Sequence, residues 1–122
     1  MELYCGACNE KLTHRPIAKA ERNALRSVDG EEALPDDRYV LPDDFDFILT
    51  LEVTHIVSTK CLRVVHSSDA LRQRGCCGPS MMEEYNQVCP KCSEPVGVIF
   101  ADCWAPHFTA INADKLLTKP KW

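Results

Sequence analysis

The longest run of strand-like apolar and polar alternation lies in residues 45–66, FDFILTLEVTHIVSTKCLRVVH. The run is rich in β-branched and aromatic residues and has neither glycine nor proline, which is typical of β-strands. From residue 47 to 55 every second side chain shares one face of the predicted strand, and the mostly more polar side chains between them share the other. We predict two strands here, separated by a turn near residues 58–60.

Other strand signals lie at the two ends of the chain and in one short central segment. Residues 1–13 predict a short strand, a tight turn and a return strand. Residues 95–104 and 107–112, PVGVIFADCW and HFTAIN, predict a closing pair of strands. The segment RYVL at 38–41 predicts a further short strand between two prolines.

Helical signals are weaker. The segment AKAERNALRSV at 18–28 favours two or three helical turns, because Ala, Lys, Glu, Arg and Leu are good helix formers. A capped helical turn is predicted at 66–75, and the last ten residues, ADKLLTKPKW, are predicted as a tail with little to hold it. The whole pattern predicts a mainly β protein with short helices, in which residues 1–122 form a single domain.

Length and charge narrow the function classes. A chain of 122 residues can bury a small hydrophobic core, which would gain stability from a cross-link. The net charge of −4 argues against a general nucleic-acid binder, which needs a cationic face. The N-terminal segment lacks the basic and apolar regions of a secretory leader, and the apolar runs are too short to span a bilayer. We therefore predict a cytoplasmic protein that does not engage a membrane, with its thiols reduced.

Two Cys-x-x-Cys motifs are the strongest chemical signal. Cys5 and Cys8 form the first, and Cys89 and Cys92 form the second. Each motif can present two thiolates from one tight turn, so the pair predicts a closed four-cysteine Zn²⁺ site. A thioredoxin-like redox motif would need a helix opening at the cysteines, and both motifs instead run into segments with turns and proline. Such a site has no open position for water and is predicted to be structural, not catalytic.

The remaining cysteines leave two alternatives open. Cys76 and Cys77 lie in GCCGP, and Cys103 lies four residues before His107. A second metal site could draw on these residues, with His66 or Cys61 as a further ligand, although their spacing is not typical of zinc sites. The favoured interpretation is that Cys76 and Cys77 form a reduced structural glycine turn.

An aromatic cluster, Trp104 with His107 and Phe108, lies beside Asp102. Exposed large rings supply much of the contact energy at protein interfaces, so the cluster is a candidate binding surface. The alternative that we favour is core packing of the closing strands.

The two Cys-x-x-Cys turns, which we call knuckles, resemble those of a known group of folds. Two distant Cys-x-x-Cys knuckles that bracket a strand-rich segment, with Gly97 in the strand after the second, resemble the β-tent group, which includes Yippee-like proteins and the thalidomide-binding domain of cereblon. The resemblance implies β-tent-like or zinc-ribbon-like antiparallel sheets stapled by zinc. The cereblon ligand cage needs three tryptophans, and Trp104 and Trp122 are the two in this sequence, so that pocket is not carried over.

A second resemblance covers the last third of the chain. The segments GCCG at 75–78, VCPKC after Asn86, and DCWAPH at 102–107 are similar to those of a group of small bacterial zinc-binding proteins. This resemblance implies a bacterial cytoplasmic protein and implies no activity.

Three functions follow as hypotheses. The leading one is a zinc-stabilised binding module that acts through contacts with a protein partner. The second is a thiol-based redox or sensor protein that uses Cys76, Cys77 or Cys103. The third is local nucleic-acid binding through residues 63–74, RVVHSSDALRQR, despite the acidic balance of the whole chain.

Overall fold

A computed structural model describes residues 1–45, 51–68 and 84–119. In these ranges the chain is mainly β, with helical structure limited to short 3₁₀ turns, as the sequence predicts. The strands are β1 (Tyr4–Cys5), β2 (Ala18–Lys19), β3 (Arg38–Val40), β4 (His55–Val57), β5 (Val65–His66), β6 (Gln87–Val88), β7 (Pro95–Phe100), β8 (Phe108–Ile111) and β9 (Leu116–Leu117). The 3₁₀ turns are Arg22–Ala24, Pro42–Asp44 and Ala113–Lys115.

Seven of these strands form one sheet, in the order β2-β3-β4-β8-β7-β6-β5. Its neighbours are antiparallel except for β2 and β3, which run parallel. The other two strands, β1 and β9, form a separate antiparallel pair. The predicted antiparallel sheets are therefore confirmed.

The predicted closing pair of strands is confirmed and lies at the centre of the large sheet. Strands β7 and β8 pair from Gly97 opposite Ile111 to Phe100 opposite Phe108. Glycine is needed at position 97, because a Cβ there would lie 2.7 Å from the carbonyl oxygen of Ala110. The predicted short strand at 38–41 is also present, as β3.

The run at 45–66 yields two strands, but they are shorter than predicted and far apart in the sheet. Strand β4 starts at His55, residues 51–54 are not strand, and residues 46–50 lie outside the described ranges. A turn follows β4, closed by a hydrogen bond from Cys61 N–H to the Ser58 carbonyl (3.2 Å). The two strands then take different partners: β4 pairs with β3 and β8, whereas β5 pairs with β6 at the sheet edge.

The face assignment of β4 also needs correction. Continued to residue 56, the alternation predicted for residues 47–55 assigns Ile56 to the mostly more polar face, yet Ile56 is fully buried, as is Val57 beside it. Consecutive residues of a strand point to opposite faces, so both faces of β4 are covered here. Ile56 belongs to the buried cluster of Phe100 and Phe108, whereas Val57 belongs to the one that contains Cys5 and Cys89.

The helix predicted at 18–28 is wrong except for the single 3₁₀ turn Arg22–Ala24. Ala18 and Ala20 donate backbone hydrogen bonds to the carbonyls of Asp37 and Tyr39 (3.1 and 2.8 Å), which extends the chain along the edge of the sheet. Helix propensity is worth only a fraction of a kcal/mol per residue, so tertiary pairing of this kind overrides it.

The N-terminal hairpin is confirmed, whereas the predicted loose tail is wrong. Leu12 N–H bonds to the Leu3 carbonyl (2.8 Å), which joins the two arms of the hairpin. The tail is held by β9, whose Leu117 and Leu116 pair with Tyr4 and Cys5 of the hairpin. The side chain of Leu116 is buried, so the end of the described chain covers the N-terminal motif.

In the part of the chain that the structure describes, buried side chains form two clusters. One surrounds the two Cys-x-x-Cys motifs and includes Leu3, Leu12, Ile17, Val57, Cys61, Leu62, Val96, Ile111 and Leu116 with Cys5 and Cys89. The other is built around Phe100 and Phe108, whose rings stack with their centroids 5.8 Å apart. Among the described residues, no helix is long and apolar enough to cross a membrane.

Candidate metal centre

The first Cys-x-x-Cys motif is a tight turn at the end of β1. Cys5 N–H donates to the Glu10 carbonyl (2.8 Å), and Asn9 N–H donates back to the Cys5 carbonyl (2.9 Å). Asn9, the residue after the second cysteine, has a left-handed backbone with φ of 66°. Asparagine is among the residues that tolerate this conformation best, so the sequence CGACN suits the turn.

The second motif repeats the first bond for bond. Cys89 N–H donates to the Glu94 carbonyl, and Ser93 N–H donates to the Cys89 carbonyl, both at 2.9 Å. Ser93 again follows the second cysteine and is left-handed, with φ of 63°. Two separate segments thus build the same turn, which directs two sulfur atoms to one side.

The four sulfurs converge on one point. All four lie within 4.8 Å of one another. Across the two motifs, Cys5 Sγ lies 3.5 Å from Cys92 Sγ, and Cys8 Sγ lies 3.6 Å from Cys89 Sγ. A tetrahedral zinc with Zn–S bonds of about 2.3 Å would place its sulfurs about 3.8 Å apart. The cluster therefore has the ligand set and the size for one metal ion.

Burial differs among the four cysteines. Cys5 and Cys89 are fully buried, Cys8 is partly buried, and Cys92 is exposed as a residue. Its sulfur nevertheless faces the other three, and desolvation there raises the pKa of Cys92 to about 12, with hydrogen bonds among the thiols adding to the effect. Without a metal the Cys92 thiol would thus keep its proton, and a bound cation would displace it, because thiolates are the metal ligands.

The 3₁₀ turn before β9 supports the first motif at Gly6. Gly6 N–H donates to the Lys115 carbonyl at 3.1 Å, and a Cβ on Gly6 would overlap that same carbonyl oxygen. The glycine therefore permits the 3₁₀ turn Ala113–Lys115 to dock on the motif. Sequence reasoning missed this contact, since its signal, a glycine within Cys-x-x-Cys, also fits a simple tight turn.

Cys61 belongs to the protein core and not to the sulfur cluster. Its side chain is buried in the same hydrophobic cluster as Cys5 and Cys89. Burial raises the pKa of the Cys61 thiol to about 11, with the charge of Asp37 as a smaller cause. Cys61 is thus a protonated apolar side chain at neutral pH.

Among the described residues, Cys61, His66, Cys103 and His107, the other candidates for a second metal site, form no converging group of three or more ligands. His107 Nε2 is 2.9 Å from the Asp102 carbonyl oxygen, and His66 Nδ1 is 2.9 Å from Gln87 Nε2. Cys103 is exposed. Within residues 1–45, 51–68 and 84–119, the four knuckle cysteines are the group of metal-ligating side chains that converges. Cys76 and Cys77 lie outside the described residues, as does the second half of the basic segment 63–74, from residue 69 onward.

The predicted aromatic cluster divides between core and surface. Phe108 is fully buried, whereas Trp104 is 57% exposed and meets Phe100 edge-on, with ring centroids 4.9 Å apart. The loop that carries Trp104 is fixed to a neighbouring loop, because Gly30 N–H bonds to the Ala105 carbonyl (3.0 Å). A second bond, from His107 N–H to the Glu31 carbonyl (2.7 Å), joins the same two loops.

Comparisons with known proteins leave the site to be judged on its own geometry. No protein-family model matches the chain, and neither a curated protein nor a solved structure does. The geometry supports a metal-stabilised module, because four thiols from two distant segments meet at one point.

Proposed function

We propose that the protein is a zinc-stapled binding module that acts through contacts with a protein partner. The observation that carries the proposal is the convergence of Cys5, Cys8, Cys89 and Cys92 within 4.8 Å. Zn²⁺ is the metal that four tetrahedral thiolates select most readily, together with iron in iron–sulfur sites.

The zinc would have a structural role. Four protein ligands complete its tetrahedral shell and leave no position for a water molecule or a substrate. When bound, the ion supplies a cross-link between the N-terminal hairpin and the turn before β7. The residues themselves prepare that link, because each pair of cysteines is already held by two backbone hydrogen bonds.

The surface around Trp104 is the best-supported place for a partner. The indole is exposed, while its edge-on contact with Phe100 fixes it to the core. Tryptophan is enriched among the residues that dominate interface energies. The backbone bonds of Ala105 and His107 to the neighbouring loop limit the ordering cost of binding.

The proposal includes a cytoplasmic setting, where thiols stay reduced and available to zinc. We also propose that the chain is related to the β-tent group and to small bacterial zinc-binding proteins, which its cysteine motifs resemble. Two Cys-x-x-Cys turns attached to antiparallel strands support that resemblance.

Affinity capture with the full chain as bait tests the binding role. We expect the native chain to retain a defined protein, and Trp104→Ala to weaken retention by about thirtyfold, the effect of losing an interface hot spot. Val65→Ala is the matched control, because Val65 is an exposed apolar residue (47%) on the edge strand β5. Equal retention by the two variants, or retention that a nuclease abolishes, would contradict this role.

A further inference from the structure

The four clustered sulfurs differ in how an oxidant from solution can reach them. Cys5 and Cys89 are fully buried, and Cys8 is partly buried. Cys92 is exposed, at the end of the second Cys-x-x-Cys turn. Cysteine oxidation follows thiolate character and exposure. A metal keeps all four sulfurs as thiolates, so exposure decides which of them reacts.

The sulfur opposite Cys92 belongs to the other motif. Cys5 Sγ lies 3.5 Å from Cys92 Sγ and is 87 residues away in sequence. A disulfide requires about 2.05 Å between the sulfurs, so the pair must close by only about 1.5 Å. Cys5 is fully buried, which shields it from the oxidant, but its sulfur lies close enough to attack an oxidised Cys92.

We propose that Cys92 is an oxidation site for hydroperoxides and that Cys5 resolves it into a Cys5–Cys92 disulfide, with release of the bound zinc. This inference rests on the proposed zinc site. The Cys92 thiolate attacks the terminal oxygen of hydrogen peroxide, the O–O bond breaks, and hydroxide leaves. Cys92 is oxidised by two electrons to the sulfenic acid, and the peroxide is reduced.

The Cys5 thiolate then attacks the Cys92 sulfur. The S–S bond forms, the S–O bond breaks, and a second hydroxide leaves. Two protons from solvent convert the two hydroxides to water. Two thiolate ligands are consumed, and Cys8 and Cys89 alone do not complete a tetrahedral shell. One zinc is therefore released for each disulfide.

The new bond would preserve the connection that the metal had made. A Cys5–Cys92 disulfide joins the same two motifs and closes a loop of nearly the same length as the zinc cross-link. Because a cross-link stabilises mainly by restricting the unfolded chain, the oxidised protein keeps much of the stability that simple chelation removes. The change is reversible by a thiol reductant and zinc.

The test treats the zinc-loaded full chain with hydrogen peroxide. Zinc release is followed with a metallochromic dye, and the disulfide is identified by proteolysis and mass spectrometry without reduction. We expect one zinc released per disulfide and a linked peptide pair that contains Cys5 and Cys92. Brief exposure in the presence of a sulfenic-acid probe should label Cys92.

Two ligand replacements sharpen the result. Cys92→His and Cys8→His each leave a Cys₃His ligand set, which is a common zinc site, and zinc content is measured before oxidation. Cys92→His removes the thiolate of the one exposed residue among the four cysteines, so its zinc release should slow by at least about tenfold. Cys8→His keeps the Cys5–Cys92 pair, so it should still release zinc. Should Cys92→His fail to hold zinc, the disulfide map of the native chain decides.

The outcomes separate this inference from the proposed function. Untreated protein without zinc would overturn the zinc site itself. Zinc-loaded protein that keeps its metal under peroxide, or whose released zinc accompanies a Cys8–Cys89 bond or a bond to Cys76, Cys77 or Cys103, would overturn the inference alone.

Discussion

Removal of the metal should destabilise the fold strongly, because the predicted zinc joins the N-terminal hairpin to the turn before β7. Cys8 and Cys89, whose sulfurs lie 3.6 Å apart, are 81 residues apart in sequence. The perturbation is a high-affinity chelator added to the zinc-loaded protein under reducing conditions, so that no disulfide replaces the lost ion.

The magnitude follows from the length of the loop that the metal closes. A cross-link around a loop of about 80 residues removes chain entropy worth about 4–5 kcal/mol at 25 °C. Domains of this size are stable by only about 5–15 kcal/mol. Each kcal/mol corresponds to about 3–5 °C in melting temperature, so chelation should lower it by roughly 15–20 °C or unfold the protein outright.

The assay is thermal unfolding by circular dichroism, with and without chelator. Cys103→Ser serves as the matched control, because Cys103 is an exposed cysteine outside the sulfur cluster and its loss should leave the chelator effect intact. Cys5→Ser should melt near the chelated native protein and respond little to chelator. If chelation changes the melting temperature by only a few degrees, the metal is not an important cross-link, and the two apolar clusters are sufficient for stability.

Three further predictions concern particular residues. Gly6→Ala should cost roughly 2–4 kcal/mol in urea unfolding, because its methyl group displaces the Lys115 carbonyl and breaks their hydrogen bond; an unchanged midpoint would contradict this contact. Cys61, whose pKa is raised to about 11 by burial, should be alkylated far more slowly than exposed Cys103, and equal rates in a peptide-resolved iodoacetamide assay would contradict its burial. Burial lowers the pKa of His55 below its ordinary 6.5, so the unfolded chain takes up that proton first and stability should fall as pH drops below 6.5; urea titrations should show a weaker fall in His55→Gln.

Features encoded within a few residues were predictable from the sequence. The two Cys-x-x-Cys turns, the N-terminal hairpin and the pairing of β7 with β8 all depend on neighbouring segments and local turn chemistry. The convergence of four cysteines was predictable because a tetrahedral metal needs two such pairs, and both pairs carry the same spacing. The left-handed residues Asn9 and Ser93 had a partial signal, since asparagine favours that conformation.

Features that depend on distant partners were not predictable. The C-terminal tail is held because Leu116 pairs with Cys5 and packs beside the cysteines. The sequence of the tail does not indicate this partner. Residues 18–28 have good helix propensity, but backbone bonds to Asp37 and Tyr39 decide their conformation. Similarly, Ile56 lies on a face that reads as polar in sequence and is buried by segments remote from it.

Metal analysis of the purified native protein tests the central claim most directly. Elemental analysis by mass spectrometry should find one zinc per chain, retained in Cys103→Ser and lost in Cys5→Ser. Protein without zinc, or a zinc content that Cys5→Ser leaves unchanged, would contradict the assignment of Cys5, Cys8, Cys89 and Cys92 as the metal site.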